Sequence, residues 1–223
     1  MGRNSPRGRP RPQRNRQRHR RILVVIGGLV TEKDYLTRIN REAMSGGVTL
    51  EIGKSGRDPV SLVREAAARA AADRREARLS DDRNNTYDAV WVVFDVDDFG
   101  EQVTEAATLA HRSGVQCAIS NPCFEIWLLW HVSDKASHTS TRSAQDAAAR
   151  AGVVAGKGNK YVQLPVITGK YAAARKRAVD AENMHARAER KYPDTNPSSN
   201  TYQLIDSIVA SCRKARPGTS LAL

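Results

Sequence analysis

No run of about 18 apolar residues occurs anywhere in this 223-residue chain, so no helical membrane span is expected. The N-terminus has no apolar stretch of signal-peptide type. Cysteine is scarce. Cys117, Cys123 and Cys212 lack both the even pairing of a disulfide framework and the spacing of zinc ligands. They read as reduced packing thiols, and the expected compartment is the cytoplasm. Aromatic residues make up only 5% of the chain. The most uneven absence is of acid at the front: residues 1–21 hold nine arginines and not one Asp or Glu.

That front segment accounts for most of the net charge of +12, because the rest of the chain sets 27 basic residues against 24 acidic ones. Residues 1–20, rich in Arg, Pro and Gln, cannot bury a core and read as a disordered basic tail. Nine positive charges can neutralise phosphates along a nucleic acid in a salt-sensitive, sequence-blind way, with Arg14 and Arg16 as representative contacts. A merely solubilising tail is the plainer alternative.

What is present beyond the tail is an alternation of short apolar runs and helical stretches. Residues 21–26, 48–52, 89–94 and 115–119 read as strands; 22–26 and 89–94 are apolar throughout, as in a strand covered on both faces, and 48–52 alternates less cleanly. Helices are expected over 31–44, 60–79, 101–113 and 123–131. The T-x-x-D spacing of Thr31 and Asp34 predicts a capping box for the first. Asp58 and Pro59 predict an N-cap and first-turn proline for the second. Asn121 and Pro122 read the same way for the fourth, and Gly114 as the stop of the third. Gly53-Lys54-Ser55 looks like the end of a phosphate-binding loop, but no glycine lies five positions earlier.

The β-α alternation predicts an α/β fold, a parallel four-stranded sheet flanked by helices. No strand is expected after about residue 140. Helices over 141–151, 170–192 and 200–214 form a helical C-terminal extension, interrupted by a Gly-rich flexible segment at 152–159. The expected organisation is a tail over 1–20, an α/β core over 21–135, helices packed on it over 136–215, and a short tail over 216–223.

The strand over 89–94 runs straight into Asp95, Asp97 and Asp98. Ligands of open α/β sheets bind past the carboxyl ends of the strands. In an extended segment Asp95 and Asp97 point to the same side. Carboxylates meeting there repel unless a proton or cation lies between them, and oxygen-only donors suit Mg2+ or Mn2+. Lys157 and Lys160, in the Gly-rich segment, are candidates for phosphate contact. His131 closes an apolar helix and reads as a packed residue.

Four motifs together resemble the RloB-like family. They are G-x-x-T-E-x-x-Y-L after the first strand, V-F-D-V-D-D-F after the third, S-N-P-C-F-E-I-W-L-L-W-H after the fourth, and N-P-S-S-N near residue 196. The resemblance covers about residues 21–212. It implies a Toprim-like fold, metal-dependent phosphodiester cleavage of RNA, tRNA or DNA, and a role in anti-phage defence, often beside a partner ATPase. It makes Asp95 and Asp97 metal ligands, Asp98 an auxiliary one, and Glu125 a further metal-site or substrate-positioning acid. It also exposes a departure: Gly27 stands where the family has its catalytic glutamate. Glu32 matches the family's second acid, but a place a full turn into the helix makes it a poor substitute by reach. The expected outcome is an impaired nuclease, with a catalytically silent Toprim module that binds nucleic acid or an ATPase as the alternative. A receiver domain also gathers acids at strand ends, but the late strand bearing its lysine is missing.

Overall fold

The computed structural model describes residues 18–54, 58–80 and 85–221. Arg14 and Arg16 lie outside them. The sheet is built on β1 (Arg20–Ile26), β2 (Val48–Lys54), β3 (Ala89–Asp95) and β4 (Gln116–Asn121), all parallel, in the order β2-β1-β3-β4. The side chains of the inner strands β1 and β3 alternate between two apolar layers. Ile22, Val24 and Ile26 of β1 join Trp91 and Val93 of β3 on one face. Leu23 and Val25 join Val90, Val92 and Phe94 on the other. With both faces covered, β1 and β3 have no polar side, which is why they read as continuous apolar runs, whereas the edge strand β2 turns Thr49 and Glu51 away from the core.

Helix α1 (Thr31–Ser45) covers the first face with Tyr35, Leu36 and Ile39. Helices α2 (Pro59–Leu79) and α3 (Gly100–Ser113) cover the second with Leu62, Val63, Ala66, Val103 and Ala106. Two expected caps are present. Asp58 accepts from the Ser61 backbone N–H at 3.0 Å, and Gly114 closes α3 in the left-handed region at φ 67°. From β1 the chain leaves over one face toward β2, and from β3 it leaves over the other toward β4. Adjacent strands whose connections depart to opposite sides mark a topological switch point, and here it lies between β1 and β3.

Two sequence expectations fail at helix starts. Residue 30 is the N-cap of α1 and no side chain caps it. Thr31 and Asp34 are engaged elsewhere: the Thr31 hydroxyl donates to Glu125, and Asp34 accepts from the Val162 backbone N–H. Asn121 is not a cap but the last residue of β4, its amide donating to the Pro193 carbonyl at 2.7 Å. The following helix, α4 (Glu125–Leu129), is correspondingly short and begins at Glu125 itself.

The C-terminal part adds α5 (Thr141–Arg150), α6 (Leu164–Ile167), α7 (Tyr171–Arg187) and α8 (Thr201–Ala215), as well as strands that the sequence reading missed. The Gly-rich segment forms a small antiparallel hairpin of β5 (Val154–Ala155) and β6 (Tyr161–Val162). The two-residue β7 (Ser198–Ser199) pairs antiparallel with β4 and makes the sheet five-stranded. Just beyond it, the Asn200 side chain completes the β4 edge, accepting from the Ile119 N–H at 2.6 Å and donating to the Cys117 carbonyl at 3.0 Å. Removing it strands two backbone groups at once. Asn200→Ala is expected to destabilise the fold by about 1–3 kcal/mol, seen as a lower urea midpoint. A midpoint equal to wild type would mean that water replaces the amide without cost.

Candidate functional site

The switch point opens into a cavity of about 180 Å³ lined by Gly27, Gly28, Glu32, Pro59, Phe94, Asp95, Asp97 and Phe99. That is smaller than the roughly 300–1,000 Å³ of small-molecule pockets and suits a hydrated cation and the edge of a phosphate. The cavity floor is the end of β3. Gly27 N–H donates to the Val93 carbonyl at 2.8 Å, so the β1 end is held against it.

Asp95 is the last residue of β3, and its Oδ1 is sealed from solvent without a hydrogen-bond partner. Burial holds its carboxyl well above the ordinary carboxylate range. The charges of Glu32 and Glu125 push the same way, and a hydrogen bond from the Phe124 backbone N–H opposes them. Asp97 does not follow Asp95 along a strand as the sequence suggested. The chain turns at Val96, and Asp97 begins a 3-10 turn with φ 28°, a left-handed value that Asp tolerates better than most residues. Its carboxylate still lines the cavity and accepts from the Thr141 hydroxyl at 2.6 Å. The side chain of Asp98 lies outside the described residues.

Glu125 is buried at the start of α4. Its Oε1 accepts from the Thr31 hydroxyl at 3.4 Å and lies 4.0 Å from Lys160 Nζ. The preceding residue, Phe124, stacks edge-on against Tyr35 of α1 with ring centroids 5.5 Å apart. That contact, worth on the order of 1 kcal/mol, fixes the Glu125 end of the site against the helix that carries Thr31 and Glu32. Lys160, next to β6, therefore reaches the acidic rim. Lys157 is exposed on the same hairpin turn.

The residue that sequence reasoning discounted is Glu32. It is not out of reach. It occupies the second position of α1 and folds back over Gly28, so that a Cβ on residue 28 would fall 1.9 Å from both carboxylate oxygens. Only 5% of it is exposed. Burial is the main cause that pushes its carboxyl up to about 6, with Glu125 adding to the rise and Lys160 opposing it. The pairing of a glycine with a glutamate four residues on was the available signal, but it was masked by the capping-box spacing of Thr31 and Asp34.

His131, by contrast, is packed as expected. It is buried edge-on to Trp127, hydrogen-bonded to the Trp127 carbonyl at 3.0 Å, and lowered by burial to about 4. The three cysteines are free thiols, and burial raises the pKa of each.

The donor set is all oxygen. Among the described residues, no three acidic, histidine or cysteine side chains already gather around one point. A hard divalent ion such as Mg2+ does not require that, since it is commonly held by one or two carboxylates with water and substrate phosphate completing its shell. The unpartnered, buried Asp95 Oδ1 beside other acids fits such an ion.

Fold and site together define the class: an α/β protein with acidic residues drawn to the switch point of a mostly parallel sheet. The chain belongs to the RloB-like protein family, whose model matches residues 22–208. No curated protein and no solved structure matches it.

Because Glu32 has a raised carboxyl, folding favours its protonated form. That contribution is complete below the ordinary value of 4.5 and is lost as the pH climbs through about 6. Above that, ionised Glu32 costs on the order of 2 kcal/mol. Glu32→Gln is therefore expected to melt higher than wild type at neutral pH and alongside it near pH 4. Equal melting temperatures at both pH values would contradict this burial of charge.

Proposed function

We propose that this chain is a divalent-metal-dependent phosphodiesterase of Toprim type that acts on RNA or DNA. The observation that carries the proposal is the sealed, unpartnered Oδ1 of Asp95 at the switch point, with Asp97, Glu32 and Glu125 around it. Such a cluster is costly to maintain in a folded protein, and a bound Mg2+ or Mn2+ offsets that cost. Asp95 and Asp97 would hold the ion, and Glu125 stands as a further ligand. When bound, the ion supplies charge stabilisation at the scissile phosphate and lowers the pKa of a water nucleophile.

The chain's own residues do the rest. Thr31 and Phe124 orient Glu125 and Asp95 by hydrogen bonds from a hydroxyl and a backbone N–H. Lys160, at the rim, can pair with a phosphate on the strand being cut. Phe99, partly exposed at the cavity mouth, offers an aromatic face on which a base can stack. Thr141 donates to the Asp97 carboxylate and steadies it at the cavity. Family membership supports a place in anti-phage defence, with a partner ATPase as a candidate associate. Gly27 favours a second reading, in which the module binds nucleic acid or that partner without cutting.

Incubation with mixed DNA and tRNA substrates in Mg2+ or Mn2+ tests the proposal. Wild type is expected to cleave, and Asp95→Ala and Asp97→Ala to lose on the order of 100-fold or more of the rate. Cleavage by Gly27→Glu but not by wild type would favour the silent module. Cleavage that survives both aspartate substitutions would refute the metal-site assignment.

A further inference from the structure

The end of β1 carries no acid, yet a carboxylate is present beside it. Gly27 and Gly28 contribute only backbone to the cavity wall. The space above Gly28 is filled from the other direction, by the carboxylate of Glu32 reaching back from α1. Three features make this a specific placement. Glu32 is 95% buried, which a glutamate rarely is, and it lines the same cavity as Asp95 and Asp97. The second position of a 15-residue helix sets its negative charge where the helix dipole favours it. Gly28 does not have the positive φ that would demand glycine on backbone grounds. What demands glycine at 28 is room, since any Cβ there would collide with the Glu32 oxygens.

The independent pointer to a ligand is Asp95 Oδ1. It is buried, lacks a partner and belongs to the same cavity wall. A buried glutamate and an aspartate with one sealed, unpartnered oxygen, on opposite sides of a switch point, form a two-sided clamp. Thr31 strengthens the arrangement. It lies next to Glu32 and ties the same helix start to Glu125. A single helix N-terminus thus sets two acids of the rim at once.

Resting on the metal-nuclease reading above, we propose that Glu32 supplies the β1-side carboxylate of the cation site, in place of any acid at position 27. Gly28 is then the residue that admits it. A glutamate at 27 is not required. A Cβ there would instead start 3.2 Å from Leu62 Cδ1 and 3.6 Å from Phe94 Cβ, against the apolar wall.

Calorimetric titration of the full chain with Mn2+ alone separates the possibilities. Wild type is expected to bind, and Asp95→Asn to lose binding. Glu32→Gln, which keeps the shape and removes the charge, is expected to bind about tenfold more weakly or worse, because ligand charge sets affinity. Gly28→Ala is expected to weaken binding as well, by displacing the Glu32 carboxylate while leaving the fold intact, since only a flexible side-chain end must move. Thermal melts without metal confirm that each variant is folded. If Glu32→Gln binds Mn2+ within twofold of wild type while Asp95→Asn does not bind, this inference is overturned and the nuclease reading stands. If wild type binds no Mn2+, both fall.

Discussion

The site proposed at the sheet's edge rests on repulsion among carboxylates held out of water. Asp95 ends a strand buried on both faces, so its charge has little solvent to spread into. Glu32 and Glu125 face the same region from two helix starts. Neutral side chains of the same shape would pack there without penalty. Perturbed acids kept in such a place mark it as a candidate site rather than a scaffold.

The architecture explains how three distant stretches reach one rim. A parallel sheet aligns the carboxyl ends of β1, β3 and β4, and the divergence of the chain between β1 and β3 leaves a crevice where no helix can close over the edge. The C-terminal part then braces the rim. β7 and the Asn200 amide seal the open edge of β4, the Thr141 hydroxyl holds Asp97, and the small hairpin places Lys160 beside Glu125. The helical extension is therefore tied into the site and does not simply pack against the sheet.

Much of this was legible in the sequence. The central strands β1 and β3 announce themselves because strands covered on both faces have no polar alternation. Asp58 with Pro59, and Gly114, mark helix ends through local chemistry that tertiary context did not override. Asp95 stands out because an acid directly after six apolar residues can leave the dry core only at the sheet's edge. What stayed hidden depends on partners far away in sequence. Thr31 has a cap-like spacing, but its hydroxyl is claimed by Glu125, 94 positions on. Asn121 looks like an N-cap, but a ladder with Ser198 keeps it in the strand. β7 spans two residues, too short for any periodicity. Glu32 was discounted because helical position alone says nothing of a side chain doubling back over a glycine.

The most direct test is a crystal grown or soaked with Mn2+ and measured at the manganese absorption edge. The account predicts an anomalous peak in the cavity between β1 and β3, about 2.0–2.6 Å from an Asp95 oxygen, with the Glu32 carboxylate turned toward it. An empty cavity at millimolar Mn2+, or an ion held elsewhere with Asp95 and Glu32 facing apolar neighbours, would contradict it.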